Sequence, residues 1–192
     1  MAYATYITDA LVCGVKDSNT SDRSYLLFTR TAGMLFANAR SAREERSKQR
    51  FALQEFALVR VTLIRGKAGW RIGSVEAAKN FYSTSTDKLA RGSVVKIFRQ
   101  LRRFIHGEEI AEELFDFSKM ALEYVSGQVE ERLFIDKVIQ LRIFNLLGYV
   151  SSNSVPEKLL ETPLVEVQNI EDGLINRKLD SVLEKAVSAS HL

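Results

Sequence analysis

Cysteine is almost missing from this 192-residue chain, where Cys13 stands alone. One thiol excludes an intramolecular disulfide and any zinc site built from several cysteines. Its mid-strand position reads as a small buried hydrophobe, and the cysteine count fits a reducing, cytoplasmic setting. Proline is nearly as scarce. Pro156 and Pro163 both come late, so elements before them can run unbroken. No apolar run approaches the roughly 18–20 residues needed to span a bilayer. The opening residues lack the basic and apolar regions of a signal peptide. The two histidines, His106 and His191, have no partner at ligand spacing. No phosphate-binding Walker loop, G-x-S-x-G, Cys–His pairing or H-E-x-x-H occurs. The chain therefore reads as non-enzymatic, with no cofactor and no metal.

Charge is abundant but unevenly placed. Residues 1–103 hold 19 of the 27 Lys and Arg and 8 of the 24 Asp and Glu, a net +11. Residues 104–192 hold 8 bases and 16 acids, a net −8. Such a split marks a polyanion-facing half joined to a half with another task.

The basic half carries strand patterns: Ile7–Val15, Ser24–Thr29, Met34–Ala39, Ala52–Ile64 and Trp70–Val75, separated by turn residues. Between the third and fourth lies polar Ser41–Gln49, a loop or an exposed helical turn. Five short antiparallel strands in about eighty residues suit an OB-type barrel. Tyr82–Arg91 is polar and without period, and reads as a linker, centred on residues 83–92. The period then becomes helical. Val94–Ile105 is basic and amphipathic. A second helix starts at Glu108 behind Glu109, Glu112 and Glu113. A third, Glu130–Leu147, is apolar nearly all round and so central. A last one covers about Ile170–Ala189. The expected architecture is α+β: a five-stranded OB barrel over residues 1–82 and a helical bundle over residues 83–192.

The barrel half supplies the candidate site. Arg30, Arg40, Arg43, Arg46, Lys48, Arg50, Arg60, Arg65, Lys67 and Arg71 could each neutralise a phosphate and release a counterion. A solvated face is the competing reading of such a run. Interleaved aromatics tip it toward nucleic acid: Tyr25, Phe28, Phe36, Phe51, Phe56 and Trp70. Those left exposed would stack unpaired bases. Trp70, at a turn between Gly69 and Arg71, is expected to be partly exposed, with a core position the alternative. The acids at 108–116 have spacing that could hold a cation, but helix N-terminal stabilisation accounts for them.

Particular stretches resemble the RecO family of bacterial recombination mediators. They are Thr8-Asp9-Ala10-Leu11-Val12-Cys13-Gly14, Leu26 through Leu35, Ala39-Arg40-Ser41-Ala42-Arg43 with Ser47-Lys48, Leu53 through Val59, and Leu63-Ile64-Arg65-Gly66. In the helical half, Leu141-Arg142-Ile143-Phe144-Asn145-Leu146-Leu147-Gly148-Tyr149 is similar to that family's helix ending in a Gly-Tyr pair. The resemblance implies an OB-fold on a helical domain and binding of single- and double-stranded DNA at nucleoid sites. It also implies strand annealing and help in loading RecA onto strands coated by single-stranded-DNA-binding protein. RecR and that coating protein's acidic tail are the implied partners. The tail would want a cationic rim around an apolar pocket, for which Arg132, Lys137 and Arg142 are candidates. Many members carry a four-cysteine zinc module after the Gly-Tyr pair. Here Ser151-Ser152-Asn153-Ser154-Val155-Pro156 follows, so no zinc is expected. The C-terminal part is short for the family, which bears on RecR most.

Two other classes fit the composition. An RNA- or ribosome-binding OB protein would use similar charge and aromatics. An adaptor would set its basic half against an acidic protein. A nuclease fits least, since no paired carboxylates accompany the basic strands.

Overall fold

The computed structural model describes residues 4–17, 22–42, 44, 47–170 and 172–189. These fall into two compact units, Met1–Thr84 with Ile105–Phe115, and Ser85–Phe104 with Asp116–Leu192.

The first unit is a closed barrel of five strands: β1 (Thr5–Asp17), β2 (Arg23–Thr29), β3 (Gly33–Ala39), β4 (Ala57–Gly66) and β5 (Gly69–Asn80). Their order around the barrel is β1-β2-β3-β5-β4. Every pairing is antiparallel except a short parallel contact of β3 with β5, Ala37↔Trp70 and Asn38↔Arg71. This is the OB arrangement. Register breaks at Val12/Gly14 in β1 and at two places along the β4–β5 ladder let long strands bend around the closure. Side chains alternate in and out along each strand. Ala10, Val12, Tyr25, Leu27, Leu35, Ala37, Val59, Val61, Leu63, Trp70 and Ile72 fill the interior. At the β2–β3 turn the Thr29 hydroxyl accepts from the Ala32 N–H and donates to the Gly33 carbonyl, both at 3.0 Å.

A short helix, α1 (Lys48–Ala52), begins in the polar stretch read as a loop or an exposed helical turn and takes only Ala52 from the expected fourth strand. Phe56 takes a left-handed φ of 71° and its N–H donates to the Val12 carbonyl. That kink delays β4 until Ala57. β5 outlasts its expected end at Val75 because its ladder with β4 continues to Asn80. Glu76 to Lys79 are exposed and carry no apolar alternation to announce this.

Residues Ile105–Phe115 complete the barrel unit as a strap. The Met34 N–H donates to the Gly107 carbonyl at 3.0 Å. Gly33 has φ +65°, and a Cβ there would lie 2.3 Å from the Glu109 carbonyl oxygen, so only glycine fits beneath the strap. Phe115 meets Phe28 edge-on at 5.5 Å. Because the strap is pinned this way, the helix expected from Glu108 begins only at Glu112.

The second unit is helical: α2 (Lys88–Phe104), α3 (Glu112–Val125, its first turn belonging to the strap), α4 (Arg132–Leu146), α5 (Glu157–Glu161), α6 (Leu164–Val167) and α7 (Gly173–Ala189). α4 packs against α2, α5 and α7, and buries Phe134, Ile135, Val138, Ile139, Leu141, Ile143 and Phe144. Its near-uniform apolarity follows from that central place. α2 starts six residues before the expected helix, inside the expected linker. The Asp87 carboxylate accepts the Ala90 N–H at 2.8 Å, satisfying one of the donors a helix start leaves open.

Candidate nucleic-acid interface

The outward side of β1, β2 and β3 changes character along its length. Leu11, Phe28 and Met34 point away from the barrel interior yet are buried. Further along the same strands the outward positions open to solvent. On β3, Phe36 is 60% exposed and Asn38 is exposed. Leu26 lies opposite Phe36, Ser24 opposite Asn38, and Lys16 opposite Ser24. Arg71 joins this row through its pairing with Asn38. A shallow cavity of about 380 Å³ is lined by Lys16, Asp17, Ser24, Phe36 and Asn38. Its one carboxylate, Asp17, is held by Arg23 at 3.0 Å.

The nominated cations fall into three groups. Arg40, just past β3, Arg50 on α1, Arg60 on β4 and Lys67 in the β4–β5 turn are exposed, and Arg71 is half-buried. Arg30 and Arg65 are engaged inside the barrel unit: Arg30 pairs with Glu112 at 2.9 Å and Arg65 with Glu108. Two of the strap's acids thus meet two of the barrel's bases. Arg43, Arg46 and the side chain of Lys48 lie outside the described residues.

Trp70 is not the exposed aromatic. It is 7% exposed, because the strand alternation that begins after Gly69 turns it inward opposite Ala37. The Arg65 guanidinium covers its ring at 4.7 Å and Tyr6 meets it edge-on at 5.3 Å. Tyr25 and Phe28 are fully buried. Loss of hydration pushes the Tyr25 phenol above its ordinary range. Of the nominated aromatics, the exposed rings are Phe36 and, at 66%, Phe51 on α1.

In the helical unit, a cavity of about 540 Å³ lies among α2, α4 and α7. Ile97, Phe104, Leu133, Phe134 and Ile139 supply its apolar lining; Lys96, Arg99, Arg103 and Lys137 supply cations. Lys96 is paired with Asp136 at 2.7 Å. Of the three nominated partner residues only Lys137 lines this cavity, and its ammonium bonds Asp180 and Asn176, each at 2.7 Å. Arg132 instead closes the end of α3, donating to the carbonyls of Val125 at 2.9 Å and Gly127 at 2.7 Å. Arg142 is buried, donating to the carbonyls of Leu159 at 2.8 Å and Thr162 at 2.5 Å. Burial lowers its pKa to about 10. Arg142 is thus buried away from any rim, and Arg132 is half-buried with its guanidinium on backbone carbonyls. The stretch Ser151-Ser152-Asn153-Ser154-Val155-Pro156 offers hydroxyls and an amide, with no thiolate or imidazole, a donor set that does not fit zinc. No helix among the described residues is long and apolar enough to cross a membrane.

No protein-family model matches the chain. It does match curated sequences. The DNA repair protein RecO of Caldanaerobacter subterraneus subsp. tengcongensis is 30% identical over 146 residues, covering 74% of this chain and 58% of that protein. RecO of Clostridium novyi is 28% identical over 146 residues, covering 74% and 56%. RecO of a Thermoanaerobacter strain is 29% identical over 147 residues, covering 74% and 58%. Over about three quarters of its length the chain is similar to RecO proteins. It spans little more than half the length of these relatives.

The strand alternation already held the signal for Phe36. Phe36 and Asn38 share a face by period two, and a polar Asn38 marks that face as open. The cationic side of the helical cavity was missed for another reason. Lys96, Arg99 and Arg103 precede the charge boundary, so their charge was summed with the basic half although their helix, α2, belongs to the second unit.

Proposed function

We propose that this chain is a non-enzymatic DNA-repair mediator that binds DNA through its barrel. The observation that carries the reading is the open half of the barrel face, where Lys16 and Arg71 share a row beside an exposed phenylalanine, with Arg40 and Lys67 exposed on the same unit. Cations there screen the repulsion between two phosphate backbones, which favours annealing of complementary strands. The same binding would assist RecA loading on strands coated by single-stranded-DNA-binding protein. The apolar, cation-edged cavity of the helical unit is the place for that protein's acidic tail, through Arg99, Arg103 and Lys137. RecR is the further partner proposed, and a cytoplasmic, nucleoid-associated location follows from the role.

A salt titration of binding to fluorescent single-stranded DNA tests this, beside an Arg40→Ala/Lys67→Ala/Arg71→Ala variant. Each phosphate contact on a single strand contributes about 0.7 to the log–log salt slope, so the variant's slope is expected to be shallower by about 2. Absence of binding at low salt would overturn the reading and favour an adaptor. Tighter binding to RNA of the same sequence would move it to the RNA class.

A further inference from the structure

We infer that the outer face of α2, in the helical unit, is a second phosphate-binding surface, one that takes the backbone of duplex DNA. It lies on a different unit from the open barrel face, so the two readings fail separately.

Helix α2 carries six bases, Lys88, Arg91, Lys96, Arg99, Arg102 and Arg103, and no acid. All six are exposed, and the other exposed positions on the helix are Leu89 and Gly92. At 3.6 residues per turn the six fall within an arc of roughly 140°, so they form one stripe. The remaining segment of the unit is acidic, with 8 bases and 12 acids over residues 116–192. Helix stability does not call for this stripe. Arg102 and Arg103 stand in the last turn, where the helix dipole favours cations, but Lys88 and Arg91 stand in the first, where it opposes them. Lys88 with Arg91, Arg99 with Arg102 and Arg99 with Arg103 are three or four residues apart, and each like-charged pair works against the helix. Lys96 and Arg103 edge the cavity of this unit, and Lys96 is drawn to Asp136 at 2.7 Å. Lys88, Arg91 and Arg102 form the opposite edge of the stripe, with Arg99 between. A polyanion with its charges in a row relieves such a stripe. From Lys88 to Arg102 it runs about 21 Å at 1.5 Å per residue, the length of about six phosphates along one strand of a duplex. No aromatic stands on the exposed face, so nothing there rewards an unpaired base. Contacts to backbone alone, at the fixed spacing of a helix, favour the stiff and regular phosphate rows of a duplex. The exposed apolar side chain of α2, Leu89, offers too little surface to enter a membrane interface.

The test follows fluorescence anisotropy of the full chain with a labelled blunt duplex and, separately, with a short oligothymidylate, across a range of salt. A Lys88→Gln/Arg91→Gln/Arg102→Gln variant removes three phosphate contacts. At about 0.9 each, its log–log salt slope on duplex is expected to be shallower by about 2.7, while its single-strand slope changes by less than the ~0.7 of one contact. Parent chain preloaded with oligothymidylate should take up the duplex without releasing the single strand. Removing like charges relieves the helix, so the melting temperature should hold. Lys88→Glu is the second variant. An acid suits a helix start, so the fold is kept, and the duplex slope should fall by at least ~0.9. Unchanged duplex binding in both variants, equal losses on duplex and single strand, or release of oligothymidylate by the duplex would overturn this surface and leave the barrel reading standing. Binding of the parent chain to acidic lipid vesicles but not to duplex would overturn it in favour of a membrane. If oligothymidylate does not bind while duplex binding depends on α2, the barrel reading falls and this surface stands. If the parent chain binds neither, both fall.

Discussion

The guanidinium of Arg142 satisfies two backbone carbonyls that α5 leaves facing inward, those of Leu159 and Thr162. In sequence it is one of few bases in an acidic half, and scarcity made it look like a surface contact. Its position beside Leu141 and Ile143 on an all-apolar helix is the clue pointing the other way. Arg142→Ala would strand both carbonyls and open a cavity. At about 1–3 kcal/mol per unsatisfied buried group, the expected loss is about 2–6 kcal/mol. Urea unfolding checks it through a lowered midpoint, and a change within about 0.5 kcal/mol would show that the carbonyls find water instead. Trp70 and Phe36 teach the same lesson with opposite signs. Both are aromatics in strands rich in small and basic neighbours, and the pleat sends one in and the other out.

At the scale of elements, periodicity located every long strand and every long helix, and missed several of their ends. The start of α2 shows why. Asp87 caps the helix through the Ala90 and Leu89 N–H groups, which together hold its carboxyl below the ordinary value. A cap is a single hydrogen bond and leaves no periodic trace. Because the folded pKa is lowered, the capping contribution is complete above the unfolded carboxylate pKa. It is lost as pH falls through the lowered folded one. The melting temperature of the parent chain should therefore exceed that of Asp87→Ala at about pH 6, and the gap should close toward about pH 2. A gap that persists in acid would mean the aspartate acts through something other than its charge. The ends of β4 and β5 and the short helix α1 are likewise set by pairing partners and a left-handed Phe56, not by their own residue patterns.

At the scale of the whole molecule, the chain contributes Ile105–Phe115 to the barrel unit after α2 has been built. The charge boundary near residue 103 coincides with that strap and hides it, since acids there looked like the beginning of the acidic half. Two of them instead meet Arg30 and Arg65, and Phe115 covers Phe28. A fragment of residues 1–84 lacks the strap. It is expected to melt lower than the full chain and to bind an apolar dye such as ANS, as exposed core surface does. A fragment melting as high as the full chain, without dye binding, would show the strap to be dispensable.

Alternation, helical period and charge were enough to call for a five-stranded basic barrel and an apolar central helix, because burial imposes those patterns residue by residue. Which bases stay exposed, which aromatic faces water and where the strap docks depend on partners far away in the chain. Arg30 is paired from Glu112, Trp70 meets Tyr6, and Gly33 is shaped by the backbone of Glu109. Such contacts join residues tens of positions apart, and no local pattern can carry them.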